Sequence, residues 1–276
     1  PVRRRGRGIG WTERRTDGHH APVETIVVTG ASRGIGAEAA VRLSEAGHRV
    51  VLVARSEVAL RATARRCAGP APILPADLAR DHAADALCSE LSKRGWLPSG
   101  WVLNAGVSND RPFGAAAPEA VERELRLNYL TPMHLLRLDL PRLRSLPKAR
   151  VTVVASLTSV VPFPGNATYA ASKAALFSLV RSLRLELRGS RVSVGAVLPG
   201  YTETAMSRSM DSRWVRPMSA EAVGRRVARA HLDRAGLHVP GLLNRAALRT
   251  FARFPLMAEQ LLRLPGLVVS GDHDSA

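Results

Sequence analysis

The stretch NATYAASKAA, residues 166–175, places Tyr169 four positions before Lys173. The chain holds only three tyrosines and three lysines (Lys93, Lys148 and Lys173), so chance supplies roughly 0.03 such pairs. On a helix that spacing puts both side chains on one face, one turn apart. The chemistry open to the pair is acid–base work. A free tyrosine titrates near 10, and a group exchanging protons at neutral pH needs a value about three units lower, worth about 4 kcal/mol. An ammonium about 4 Å away at an effective dielectric of about 20 supplies attraction of that order. Desolvation of the phenolate opposes it, so Lys173 alone falls short and a further positive charge is needed. An isolated YxxxK also reads as a solvated helix face.

The elements around the pair alternate from residue 25 onward. Short β-branched runs are expected as strands at 25–30, 49–55, 71–78, 99–106, 150–156 and 191–200, with a last short one at 236–241. Helix-patterned stretches at 36–47, 57–68, 121–144 and 167–189 lie between them. Such alternation argues for βαβ units in an α/β, doubly wound parallel sheet of six to seven strands with helices on both faces. Ligands bind such sheets beyond the carboxyl ends of the strands, where the strand order reverses. Gly30, Asn104, Ser156 and Gly200 are expected there. The turn TGASRGIG (29–36) follows a strand and opens a helix. Its glycines, Gly30, Gly34 and Gly36, allow tight turning and close backbone approach to a pyrophosphate at a helix N-terminus.

With 276 residues, 46% hydrophobic and 23% charged, the composition suits a globular domain with a sizeable core. Net charge is +17 and 37 of the 40 basic residues are arginines. They are scattered and aromatics are only 4%, which argues against a nucleic-acid surface. No apolar run reaches the length of about 18 residues that a membrane helix needs. Cys67 and Cys88 lack metal-ligand spacing and read as free thiols of a reducing, cytoplasmic compartment. Residues 1–22 form an arginine-rich leader with little to bury, expected to be unordered.

In order and spacing, TGASRGIG, Asp77, NAG (104–106), Asn128, Ser156, YAASK (169–173) and PG (199–200) resemble the short-chain dehydrogenase/reductase family over residues 25 to about 205. The resemblance implies a Rossmann-type fold and an NAD(P)-dependent oxidoreductase with Asn128, Ser156, Tyr169 and Lys173 as catalytic residues. Tyr169 would exchange a proton with the carbonyl or alcohol oxygen, Ser156 would orient that oxygen, and Lys173 would lower the tyrosine's pKa and bind the nicotinamide ribose. Asn128 would hold a water linking Lys173 to solvent. The dinucleotide would lie along Gly30, Ser32, Arg33, Gly34, Ile35 and Gly36, with Asp77 and Leu78 at the adenine and Asn104, Ala105 and Gly106 at the adenosine ribose. Pro199, Gly200, Thr202 and Thr204 would lie at the nicotinamide end. Where an NAD-preferring enzyme carries an acid after the second strand, this chain has Ala54 and Arg55. With Arg33 in the glycine turn, two guanidiniums suit a 2′-phosphate, so NADP is expected over NAD.

The expected organisation is a domain over 23–245, a substrate lid at 201–218 with Met206, Met210, Trp214 and Met218, and an amphipathic helical tail over 246–276. The lid points to an apolar small-molecule carbonyl or alcohol as substrate, and no metal is expected. Pro132 should bend the long helix one turn after Asn128. The resemblance also implies a homo-oligomer. A catalytically silent NADP-binding scaffold and a membrane-surface role for the tail are the competing readings, since fold does not fix function.

Overall fold

The computed structural model describes residues 23–262 apart from 110, 112, 164, 205–216 and 234–235. The leader, the centre of the expected lid (Met206, Met210 and Trp214 included) and the last part of the tail lie outside the described residues.

The elements run β1 (Thr25–Thr29), α1 (Gly34–Glu45), β2 (Arg49–Ala54), α2 (Glu57–Ala64), β3 (Ile73–Pro75), α3 (Ala83–Lys93), β4 (Gly100–Leu103), α4 (Pro118–Leu125), α5 (Thr131–Ser145), β5 (Ala149–Val154), α6 (Ala167–Glu186), β6 (Val192–Val197), β7 (Thr202–Glu203), β8 (Met218–Ser219), α7 (Ala220–Leu232), β9 (Leu237–His238), α8 (Leu242–Arg253) and α9 (Pro255–Leu262). Seven strands form a sheet in the order β3-β2-β1-β4-β5-β6-β9, parallel at every pairing. The order reverses between β1 and β4, so a crevice opens at their carboxyl ends, beside the glycine turn.

Strand alternation divides the core. Val27, Val51, Val53, Trp101 and Val151 point to one face, packed by α3, α5 and α6. Ile26, Val28, Val50, Leu52 and Val102 point to the other, packed by α1, α2 and α7. Both faces are therefore covered, as the near-continuous apolar strands require.

The structure corrects several boundaries. The expected helix 121–144 begins earlier, at Pro118, whose missing N–H costs nothing in a first turn. It is interrupted by a π-helical turn, Arg126–Leu130, so the distortion lies at Asn128 itself and not one turn beyond. Pro132 has no N–H to give the Asn128 carbonyl four residues back, which favours the wider turn there. Residues 202–203 and 218–219 pair as a two-stranded ribbon, β7 with β8, where only a lid was expected. Among the described residues the tail comprises two helices, broken at Phe254 (φ −137°, ψ 64°), because Pro255 pushes the preceding residue out of the helical region. No helix among the described residues is long and apolar enough to cross a membrane.

Candidate active site

The glycine turn is built by steric necessity. Gly30 (φ +68°) and Gly34 (φ +59°) adopt left-handed backbone, which glycine enters without a Cβ penalty. A Cβ on Gly36 would stand 2.3 Å from the Gly30 carbonyl oxygen and 2.4 Å from Asn104 Nδ2, so this glycine serves helix-on-strand packing. The turn is tied to β2 by the Ala31 N–H, which donates to the Val53 carbonyl at 3.2 Å. Gly34 faces Thr204, whose Cγ2 would lie 3.5 Å from a Cβ, so the turn meets the segment after β6. Ser32 and Ile35 are half-buried, and Arg33 and Arg55 are exposed.

Asn104 holds the turn from the side of β4. Its Nδ2 donates to the carbonyls of Thr29 (3.1 Å) and Gly30 (3.3 Å). Thr29 Oγ1 in turn accepts the backbone N–H groups of Asn104 and Ala105. Asp77 Oδ1 accepts from the Ala79 N–H at 3.1 Å, and its carboxylate receives Arg123 Nη2. Burial works against its charge, but those bonds and the nearby Arg55 win, leaving its pKa below the ordinary value. Leu78 is buried in the core, and its carbonyl accepts from Thr131 Oγ1 at 2.7 Å.

The other residues converge at the end of β5. The α6 helix carries Tyr169 and Lys173 on one face, with the ammonium 5.8 Å from the tyrosine ring centroid. Lys173 is buried and its Nζ donates to the Val154 carbonyl, the last residue of β5, at 3.1 Å. Burial pulls its pKa down to about 8, with the charge of Glu124 pulling the other way. That displacement from 10.5 corresponds to about 3 kcal/mol of stability given up at neutral pH to keep a charge there. Gly106 makes room: a Cβ would stand 3.0 Å from Asn128 Oδ1 and 3.2 Å from Lys173 Nζ.

Ser156 follows β5, and its Oγ accepts from both the backbone N–H (3.2 Å) and the hydroxyl (2.8 Å) of Thr158. Asn128, fully buried on the π-turn, exchanges two hydrogen bonds with the Val107 backbone, at 2.9 and 2.8 Å, and donates to Ser172 Oγ at 3.0 Å. Its side chain therefore braces the loop after β4 against α6. Beyond β6, the buried Pro199 accepts the Leu157 N–H at 2.8 Å, and Gly200 accepts from the buried Thr202 Oγ1 at 3.0 Å.

Sequence reasoning missed the supporting residues Thr29, Asn109, Glu124, Thr158, Thr168 and Ser172. Glu124 carried no local signal, since its burial depends on α4 meeting Asn109 and Thr168, residues distant in sequence. Among the described residues no group of His, Cys, Asp and Glu is placed to hold a metal.

The model of the family described as short chain dehydrogenase matches residues 24–214. The chain belongs to that family. Among its curated relatives is a 3-oxoacyl-[acyl-carrier-protein] reductase of Aggregatibacter actinomycetemcomitans, 33% identical over 189 residues, 66% of this chain and 77% of that protein. Solved short-chain dehydrogenases agree in fold. One from Burkholderia cenocepacia, in complex with NADP, superposes with a TM-score of 0.76 at 26% identity, covering 88% of this chain and 98% of that one. Another from Sphingobium yanoikuyae, in complex with NADPH, gives 0.74 at 29%, covering 86% and 96%. The protein is thus an oxidoreductase of the short-chain dehydrogenase type.

Proposed function

We propose that the protein interconverts a ketone and a secondary alcohol on an apolar small molecule, using NADP, with Tyr169 as the proton-exchanging group. The observation that carries this reading is Lys173, a buried ammonium held at the end of β5 on the same helix face as Tyr169. A lysine gives up solvation only at a cost, and perturbed groups of this kind cluster where chemistry is done. Its charge favours the phenolate and so brings Tyr169 toward neutral-pH exchange.

The residues present fit a dinucleotide. No side chain caps α1 and no acid stands in its first turn, whereas Ser56 and Ser219 cap α2 and α7, so the free N–H groups of α1 are available to a pyrophosphate. Gly30, Ser32, Gly34, Ile35, Gly36, Asn104, Ala105 and Gly106 would line its path, with Pro199, Gly200, Thr202 and Thr204 opposite. Asp77 and Leu78 would meet the adenine. Arg33 and Arg55 are exposed, without an acid at the end of β2, and would take a 2′-phosphate. The two NADP-bound and NADPH-bound relatives support that preference.

The bound dinucleotide would supply the hydride in reduction or accept it in oxidation. In reduction, the Tyr169 hydroxyl gives its proton to the oxygen of the carbonyl. Ser156 already accepts two hydrogen bonds from Thr158, which leaves its hydroxyl proton to donate to that same oxygen and orient it. Lys173 favours the phenolate left behind, and Asn128 keeps α6 in register with the loop after β4. Cys67 and Cys88 are free thiols, in keeping with a reducing, cytoplasmic setting. A homo-oligomer, which the family resemblance implies, would show in light scattering as a mass of at least twice 29.7 kDa.

Fluorescence titration of NADPH against NADH, followed by a screen of ketones and alcohols, tests the proposal. NADPH should bind at least about tenfold more tightly, the value of about one charge-assisted contact, and an apolar ketone should be turned over. Equal affinities would defeat the roles of Arg33 and Arg55, and tight NADPH binding without turnover of any ketone would favour a silent scaffold.

A further inference from the structure

Glu124 lies on α4 with none of its surface exposed. A buried carboxylate is costly unless it is hydrogen-bonded and faces a counter-charge. Its Oε2 accepts from Asn109 Nδ2 at 2.7 Å and from Thr168 Oγ1 at 2.8 Å. Asn109 belongs to the loop after β4 and also donates to the Ala120 carbonyl at 3.0 Å, which closes the clamp back onto α4. Thr168 stands in the first turn of α6, immediately before Tyr169. One carboxylate oxygen thus joins three segments around the reacting pair.

The charge of Glu124 acts on Lys173, supporting its ammonium against the effect of burial. Arg123 and Arg126, on either side of Glu124 in sequence, are taken by Asp77 and Asp81. On α6 the nearest further cation, Arg181, lies over the Phe177 ring. The segments 104–109, 154–156 and 192–200 bring no charged side chain. Arg111, further along the loop after β4, is exposed, and the Tyr169 ring lies 5.8 Å from Nζ.

We propose that Glu124 is a positioning residue of the reaction centre, a buried carboxylate that clamps the first turn of α6 to the loop after β4 and gives the Lys173 ammonium its counter-charge. The inference rests on the roles of Lys173 and Tyr169 proposed above. A glutamine at 124 keeps the shape and an acceptor oxygen for Asn109 and Thr168 but removes the charge, so it separates electrostatics from architecture.

With only three lysines in the chain, the Cε resonance of Lys173 can be followed through a pH titration of protein labelled with [13C]lysine, and assigned by its loss in Lys173→Met. In Glu124→Gln the Lys173 midpoint should fall by about one pH unit, a tenfold change in its proton equilibrium, and the alkaline limb of the kcat/KM profile should move with it. Glu124→Asp should bring both part of the way back. An unchanged midpoint in a folded Glu124→Gln would overturn the proposal. If that variant does not fold, the infrared spectrum of the wild-type protein at pH 7 decides: an ionised Glu124 shows no protonated carboxyl band, and such a band would contradict a counter-charge role. The lysine signal is read without substrate. A shifted midpoint in a protein that turns over no carbonyl would uphold this inference and sink the mechanism above, and turnover with an unmoved midpoint would do the reverse.

Discussion

Two fully buried bases lie on opposite faces of the sheet, Lys173 on α6 and His231 on α7, and they differ in what surrounds them. Burial lowers the pKa of both, Lys173 to about 8 and His231 to about 3. Around Lys173 the structure supplies compensation, with a carbonyl acceptor from Val154 and the opposing charge of Glu124. Around His231 it supplies the opposite, since Arg150, His48 and Lys148 all disfavour its charge. Its Nδ1 meets Thr152 Oγ1 at 3.0 Å, and its Nε2 has no hydrogen-bond partner. A glycine faces each base. A Cβ on Gly100, at the start of β4, would stand 2.6 Å from His231 Nε2, and one on Gly106, beyond its other end, 3.2 Å from Lys173 Nζ. A displaced pKa therefore does not mark function by itself. On the reading proposed above, the base at the carboxyl ends of the strands carries the chemistry, whereas the base kept neutral is packed within the core.

That contrast can be broken at either residue. The largest effect is expected from Lys173→Met, with kcat/KM lower by about a thousandfold, whereas His231→Leu should stay within about threefold in the same steady-state assay. Comparable losses in both would erase the distinction. The second effect is on stability against pH. His231 stays neutral in the fold but takes up a proton when unfolded below its ordinary 6.5, so its contribution is complete above that pH and is lost as pH falls toward about 3. Urea denaturation should show a loss on the order of 2 kcal/mol by pH 5, and His231→Leu should flatten that slope.

The two glycines sharpen the comparison further. Gly100→Ala should lower the urea-unfolding free energy by about 2 kcal/mol through overpacking against His231 and Ile26, with kcat nearly unchanged. Gly106→Ala should do the converse, lowering kcat/KM by about tenfold by displacing Asn128 and Lys173 while Tm barely moves. A reversal of that pattern would place the functional base on the wrong face of the sheet.

Much of the architecture was legible because it rests on local rules. The β-branched runs, the glycine turn and the YAASK spacing each demand one kind of backbone, and the strand ends follow from them: Gly30 comes after β1, Asn104 after β4, Ser156 after β5 and Gly200 after β6. What escaped depends on contacts distant in sequence. Glu124 reads locally as one more charged position on an exposed helix, and only the meeting of α4 with Asn109 and Thr168 buries it. For Asn128, the sequence does not show the side-chain bonds to Val107 and Ser172, partners 21 and 44 positions away. The π-turn escaped because the sequence pointed to Pro132, while the backbone adjusts at the carbonyl that this proline leaves without a donor. His231 gave no signal, since a lone histidine near a helix end looks alike whether solvated or buried.

The central claim is that Tyr169 exchanges the proton, and Tyr169→Phe tests it with one hydroxyl removed. With a ketone that the wild-type protein reduces, the account predicts kcat lower by about a thousandfold or more, with NADPH affinity within about twofold. A phenylalanine variant that retains turnover within about tenfold of wild type would contradict it.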